Sequence, residues 1–172
     1  MRFTTCLAAL AATLVAATPA AAADLRTATG EARGVVLSPI SLQNIAALDF
    51  GTVATTNVAG TVTVDADTGA RTSDVNVILV PSTPSRGRFD GLGEGGKTVV
   101  LTLTPPVGNV LLDANNDQLQ VASMSLDQSN ATTRVVPSSG SFSVFVGGTF
   151  NIGANQPNGV YSANYTLTAE YQ

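Results

Sequence analysis

The chain has 172 residues, 8 Lys and Arg against 12 Asp and Glu, a formal charge of −4, and 44% apolar residues. This length suits one domain, the apolar share is too high for intrinsic disorder, and the acidic balance argues against nucleic acid or an anionic membrane surface as partner. There is no His, no Trp and a single Cys at position 6, which removes the ordinary Ser-His-Asp triad and any thiol chemistry downstream of that residue.

In sequence order, the first segment reads as a secretory signal peptide. Arg2 supplies the positive region, Cys6–Ala17 the apolar run, and Ala21-Ala22-Ala23 the small-residue cleavage site after Pro19. Residues 1–23 are therefore expected to be removed, with cleavage between Ala23 and Asp24. The run is shorter than the ~20 apolar residues a spanning helix needs. Cys6 stands too early to accept a lipid, and no later segment reads as a membrane span. The exported protein would lack cysteine, so core packing and strand pairing must hold it without disulfides.

Residues 24–36 read as an N-terminal arm of strand-compatible composition. Ala28, Gly30, Ala32 and Val36 share one face of an extended backbone, and Leu25, Thr27, Thr29 and Glu31 share the other.

Residues 37–172 read as strands and turns throughout. Gly60–Asp65 alternates Val62 and Val64 with Thr61 and Thr63. Asp74–Val80 is more continuously apolar and predicts a central strand. Thr98–Thr104 puts Val99, Leu101 and Leu103 on one face. Leu119–Leu126 changes phase between Val121 and Met124, which predicts a bulge near Ala122-Ser123. Ser141–Val146 and Thr149–Ile152, separated by Gly147-Gly148, predict a hairpin. In Val160–Gln172 every odd position from Tyr161 to Tyr171 is apolar or aromatic, and the even positions from Ser162 to Glu170 are polar. Turn signals stand at Asp67-Thr68-Gly69, Asp90-Gly91, Asn115-Asn116-Asp117, Ser139-Gly140 and Pro157-Asn158-Gly159. Many short strands with this punctuation predict an all-β sandwich or barrel.

Few residues invite chemistry. Gly91–Thr98 fits the phosphate-binding pattern G-x-x-x-x-G-K-[ST], but that loop needs a helix after it. Val99–Leu103 alternates like a strand, so a glycine-rich hairpin loop without nucleotide affinity is expected. Asp113-x-Asn115-x-Asp117 resembles the start of a calcium loop. Gln118 and Met124 stand where its glycine and bidentate glutamate belong, and Asx-rich turns need no metal. Paired carboxylates (Asp65 with Asp67, Asp113 with Asp117) fall in turns, so the sequence reads as neither an enzyme nor a cofactor binder.

The last strand carries the most informative pattern. Counted back from Gln172, Gly159 is the fourteenth residue and Tyr171 the second, with an alternating strand between them. This resembles the C-terminal signature of pilin subunits of the chaperone–usher route. A wider resemblance rests on Leu48-Asp49-Phe50-Gly51, Gly60–Asp65 with Thr68-Gly69, Phe145–Phe150 and Gly159–Ser162. On these the sequence is identified as a member of the family of secreted bacterial proteins catalogued as domain of unknown function 4402. The resemblance implies an immunoglobulin-like β-sandwich over residues 37–172, with residues 24–36 as an extension strand. It brings no catalytic residues, and the sequence departs from the archaic pilins it also resembles in lacking their disulfide.

Together these readings predict a structural subunit of an extracellular fibre or pilus, polymerising by strand exchange between copies. Gly159, Tyr161, Tyr165, Leu167 and Tyr171 would form the inward face of the assembly strand, and Leu25, Ala28, Gly30, Ala32 and Val36 the donor arm. The partners implied are neighbouring copies, a periplasmic chaperone and an outer-membrane usher, with passage through the periplasm to the cell surface. The rival reading is a monomeric secreted module that binds a glycan or surface polymer.

Overall fold

The computed structural model describes residues 26–172. The expected cleavage residues Ala23 and Asp24, and Leu25 of the arm, lie outside them. Residues up to Val35 form one unit and Val36–Gln172 another. The described part of the first unit, residues 26–35, contains no strand, and Arg33 pairs with Glu31 at 2.8 Å within it.

The second unit is built from β1 (Ser41–Ala46), β2 (Val53–Ala54), β3 (Gly60–Val64), β4 (Arg71–Ser73), β5 (Ile78–Leu79), β6 (Gly87–Leu92), β7 (Thr98–Thr104), β8 (Val110–Leu112), β9 (Gln118–Leu126), β10 (Thr133–Val135), β11 (Ser141–Ile152) and β12 (Thr166–Tyr171). The larger sheet runs β1-β6-β11-β3-β4, with β9 also on β11 and β8 on β9. A second sheet runs β10-β7-β12, and β2 and β5 form a separate ribbon. Every pairing is antiparallel. The protein folds as the all-β sandwich its alternating pattern predicts. Among the described residues no helix is long and apolar enough to cross a membrane.

Two cores lie against the larger sheet. In the first, Phe89, Leu126, Val144 and Val146 face Val99, Leu101 and Leu167 of the three-stranded sheet. In the second, Val62, Leu119, Phe150 and Ile152 are covered by Phe50, Val53, Leu79 and Tyr161. Leu48-Asp49-Phe50-Gly51 links the two: Leu48 packs on the first core and Phe50 on the second. Asp49 bridges to Ser85, and its carboxylate accepts the Gly51 amide at 2.7 Å. Gly51 then turns the backbone toward β2 with φ +71°, a conformation glycine adopts without steric cost. Arg71 fastens the ribbon by donating to the carbonyls of Phe50 and Thr52 (both 3.1 Å) and of Val80 (2.9 Å).

The expected strands at residues 60–65, 98–104 and 119–126 are present. The β9 bulge falls at Ala122, where the register against β11 jumps from Ser123 to Val121.

Four expectations are corrected. Residues 141–152 form no hairpin; they are one strand, β11, running through Gly147-Gly148. There the partner on one edge changes from β6, ending at Val146↔Gly87, to β3, starting at Gly148↔Val64. A Cβ on Gly147 would fall on the Val64 carbonyl oxygen and 2.5 Å from the Ala66 amide nitrogen. The glycine thus permits close backbone approach rather than a turn.

Asp74–Val80 is not a central strand. Asp74 accepts the amides of Thr61 (2.7 Å) and Asn76 (2.9 Å), folding the segment into a turn that leaves only Ile78-Leu79 extended. Asp90-Gly91 is not a turn but lies inside β6, where a Cβ on Gly91 would collide with the Phe142 ring that packs over it. Finally, Gly91–Thr98 is no hairpin loop, because β6 and β7 belong to different sheets.

Candidate functional site

β12 lies at the edge of its sheet, with β7 on one side and no strand on the other among the described residues. The Gln172 amide donates to the Thr98 carbonyl at 3.0 Å. The register then pairs Tyr171 with Val99, Glu170 with Val100 and Ala169 with Leu101. Antiparallel bonding alternates along a strand. Glu170 and Thr168 therefore turn their backbone groups to β7, and Tyr171, Ala169 and Leu167 turn theirs to the free edge. Their side chains meanwhile pack on the first core. Apolar side chains inward and unpaired backbone groups outward make a template for an added strand.

The extended segment before β12 borders an apolar groove of about 1010 Å³. One wall is residues 47–55 and the other residues 156–163. The floor is the sheet face at Leu111, Leu119, Val121, Met124, Phe150 and Ile152. The groove exists because the three-stranded sheet covers only the first core. The second core is covered only by the short ribbon and a loop, which touch where the Asn155 amide donates to the Thr56 carbonyl at 3.2 Å.

The five residues expected on the assembly strand are divided by the structure. The strand begins only at Thr166, so Leu167 and Tyr171 lie on it and Gly159, Tyr161 and Tyr165 precede it. Inward alternation nevertheless continues through Tyr161 and Tyr165, both half-buried. The Tyr161 hydroxyl donates to the Pro157 carbonyl at 2.7 Å and accepts from Gln156 Nε2 at 3.0 Å, closing the loop that forms one wall. Tyr165 stacks edge-on against Phe89, with centroids 5.9 Å apart. Its hydroxyl lies buried beside Gly87 without a well-formed hydrogen bond. Burial pushes the pKa of that hydroxyl up to about 12. Gly159 passes over Asp113, where a Cβ would stand 2.8 Å from the carboxylate.

Of the donor arm, Ala28, Gly30 and Ala32 lie in the strandless residues 26–35, and Val36, at 97% exposed, opens the second unit. The groove-lining residues Leu48, Phe50, Val53, Val121, Met124 and Phe150 carry no site signal in the sequence, where they read as ordinary core positions.

The remaining motifs are absorbed by the fold. The amides of Gly93, Glu94, Gly96 and Lys97 donate to Gly140, the Tyr171 hydroxyl, Val136 and Glu94 respectively, so the glycine-rich loop offers no free cradle for phosphate. The Asp113 carboxylate accepts the amides of Asn115 and Asp117, both at 2.8 Å, capping its own turn. Asp65 does likewise with Thr68, whose hydroxyl and amide hold its carboxyl below the usual range. Among the described residues no three Asp, Glu, His or Cys side chains are placed to hold a metal ion.

No curated protein and no solved structure matches the sequence. Residues 40–171, which contain both cores, the groove and the free strand edge, match the family described as Domain of unknown function (DUF4402), and the chain belongs to that family.

Proposed function

We propose that the protein is an exported structural subunit of an extracellular fibre or pilus, polymerising noncovalently by strand exchange between copies. The observation that carries this reading is the free edge of β12, together with the apolar groove lined by the segment just before that strand, residues 156–163 and Tyr165. A strand laid there would pair with the outward groups of Leu167, Ala169 and Tyr171 and cover the groove floor. The donor is residues 24–36 of another copy, whose Ala28, Gly30, Ala32 and Val36 would share one face. Such a contact joins unlike surfaces and so extends head to tail instead of closing. A periplasmic chaperone would hold the same edge by strand addition until an outer-membrane usher delivers the subunit. The role is structural, not catalytic.

Deleting residues 24–34 tests this. The truncated protein should fold, or be held by a chaperone, yet fail to polymerise. Adding the arm as a peptide should raise its melting temperature by mass action. Fibres formed by the truncated protein would overturn the reading. A full-length monomer with its own arm stably docked would favour the monomeric binding module instead.

A further inference from the structure

The loop Pro157-Asn158-Gly159 forms part of one groove wall, and its chemistry is separate from strand addition. Of all the Asn residues in the sequence, only Asn158 is followed by Gly. The others precede residues with side chains, several of them β-branched, as at Asn57, Asn76, Asn109 and Asn151. Asn158 and Gly159 are both exposed and lie outside any strand. Neither the Asn158 carboxamide nor the Gly159 amide takes part in a hydrogen bond of the fold. By contrast Asn76 donates to the Ala59 carbonyl at 3.1 Å and Asn130 accepts the Leu126 amide at 2.9 Å. At Asn158 an electrophilic carboxamide and an unshielded backbone nitrogen are adjacent, and glycine gives that backbone the freedom to bring them together.

We infer that Asn158-Gly159 is a self-modification site at which the protein converts its own amide to a carboxylate. The Gly159 nitrogen attacks the carboxamide carbon of Asn158. A C–N bond forms, the carboxamide C–NH2 bond breaks, and the Gly159 amide proton leaves with the nitrogen as ammonia. Water then opens the resulting cyclic imide at one of its two carbonyls. One opening leaves aspartate, and the other leaves isoaspartate, with an extra methylene in the backbone. No oxidant or reductant is required. Either product places a new negative charge one residue from Gly159, which lies over the Asp113 carboxylate. The isoaspartyl product also lengthens the loop that Tyr161 closes through its bond to Pro157. The site therefore acts as a clock on one wall of the groove.

The experiment is incubation of the purified exported protein at mildly alkaline pH and growth temperature, followed by peptide mass mapping and enzymatic isoaspartate methylation. Asn158 should acquire the amide-to-acid mass change before any other Asn, in both aspartyl and isoaspartyl forms. Asn158→Gln, which disfavours the five-membered imide, should lose both signals while melting like the parent. Conversion of other Asn residues at equal or greater rates than Asn158, or isoaspartate persisting in Asn158→Gln, would overturn the inference. These readouts need no fibre, so they stand or fall separately from polymerisation.

Discussion

The Tyr171 hydroxyl donates to the Ser38 carbonyl at 2.9 Å, joining the end of the last strand to the first residues of the domain. The same oxygen accepts the Glu94 amide at 2.6 Å. Ser38 in turn donates its hydroxyl to the Glu94 carboxylate at 2.7 Å, which holds that carboxyl below the usual range. Tyr171→Phe keeps the ring and removes both hydroxyl bonds, so it should lower stability by about 1–3 kcal/mol. Tyr171→Ser also removes the ring from the first core and should lower it further. In cells Tyr171→Ser should impair fibre formation more than Tyr171→Phe, and normal assembly of the serine variant would remove Tyr171 from the recognition surface.

Proline distinguishes the two sides of β12. The Ala169 amide faces the free edge, so Ala169→Pro removes no bond to β7 and should fold with a modest loss of stability. It should nevertheless block strand addition, because it removes a donor from that edge. Glu170→Pro breaks the bond toward Val100 and leaves its carbonyl without a partner, which should cost about 1–3 kcal/mol more than Ala169→Pro. Denaturant melts and arm-peptide titration of the two variants check the difference, and equal destabilisation would contradict the alternation.

Gly147→Ala tests the change of partner along β11. Backbone atoms of Val64 and Ala66, not flexible side-chain ends, occupy the space a methyl needs. Destabilisation of about 3 kcal/mol or more is expected, above the usual range for overpacking. A variant that melts like the parent would show that β3 can withdraw.

Arg134 and Asp127 form a buried ion pair at 2.8 Å, both residues being 7% exposed. Asp127 also accepts the Phe145 amide at 3.2 Å, and Arg134 donates to the carbonyls of Ala131, Thr133 and Asp127. Arg134→Met strands the carboxylate and should cost about 3–5 kcal/mol near neutral pH. Denaturant melts of the parent and the variant at neutral pH read this out.

Tyr165 supplies an alkaline signature. Its folded pKa, pushed up to about 12 by burial, lies above the ordinary value of 10. The fold therefore favours the protonated phenol, and that contribution is present below pH 10 and lost as pH rises toward 12. Tyr165→Phe should flatten the alkaline limb of the stability profile. It should leave neutral stability unchanged or raised, since the hydroxyl has no well-formed partner to lose. A clear loss at neutral pH would reveal a hydrogen bond there.

Alternation made much of this fold legible in the sequence. β3, β7 and the inward face ending in Tyr171 follow from period-two patterning, and the Ala122 bulge follows from its break. The misreadings all involved residues with two uses. Gly147-Gly148 and Gly91 look like turns, yet they serve close packing inside strands, a distinction set by partners far away in sequence. Asp74 looks like the start of a strand until its carboxylate finds the Thr61 amide. The groove was invisible for a related reason. Phe50, Met124 and Phe150 look like core residues, and only the mismatch between a long sheet and its short cover exposes the space beside them.

β11 contributes Val144 and Val146 to one core and Phe150 and Ile152 to the other. Neither core can open without disturbing the strand the other rests on. Heat or tension should therefore release the domain in one step, with no half-open state retaining a single core. The central amides of β11 should exchange their hydrogens only when the whole domain unfolds.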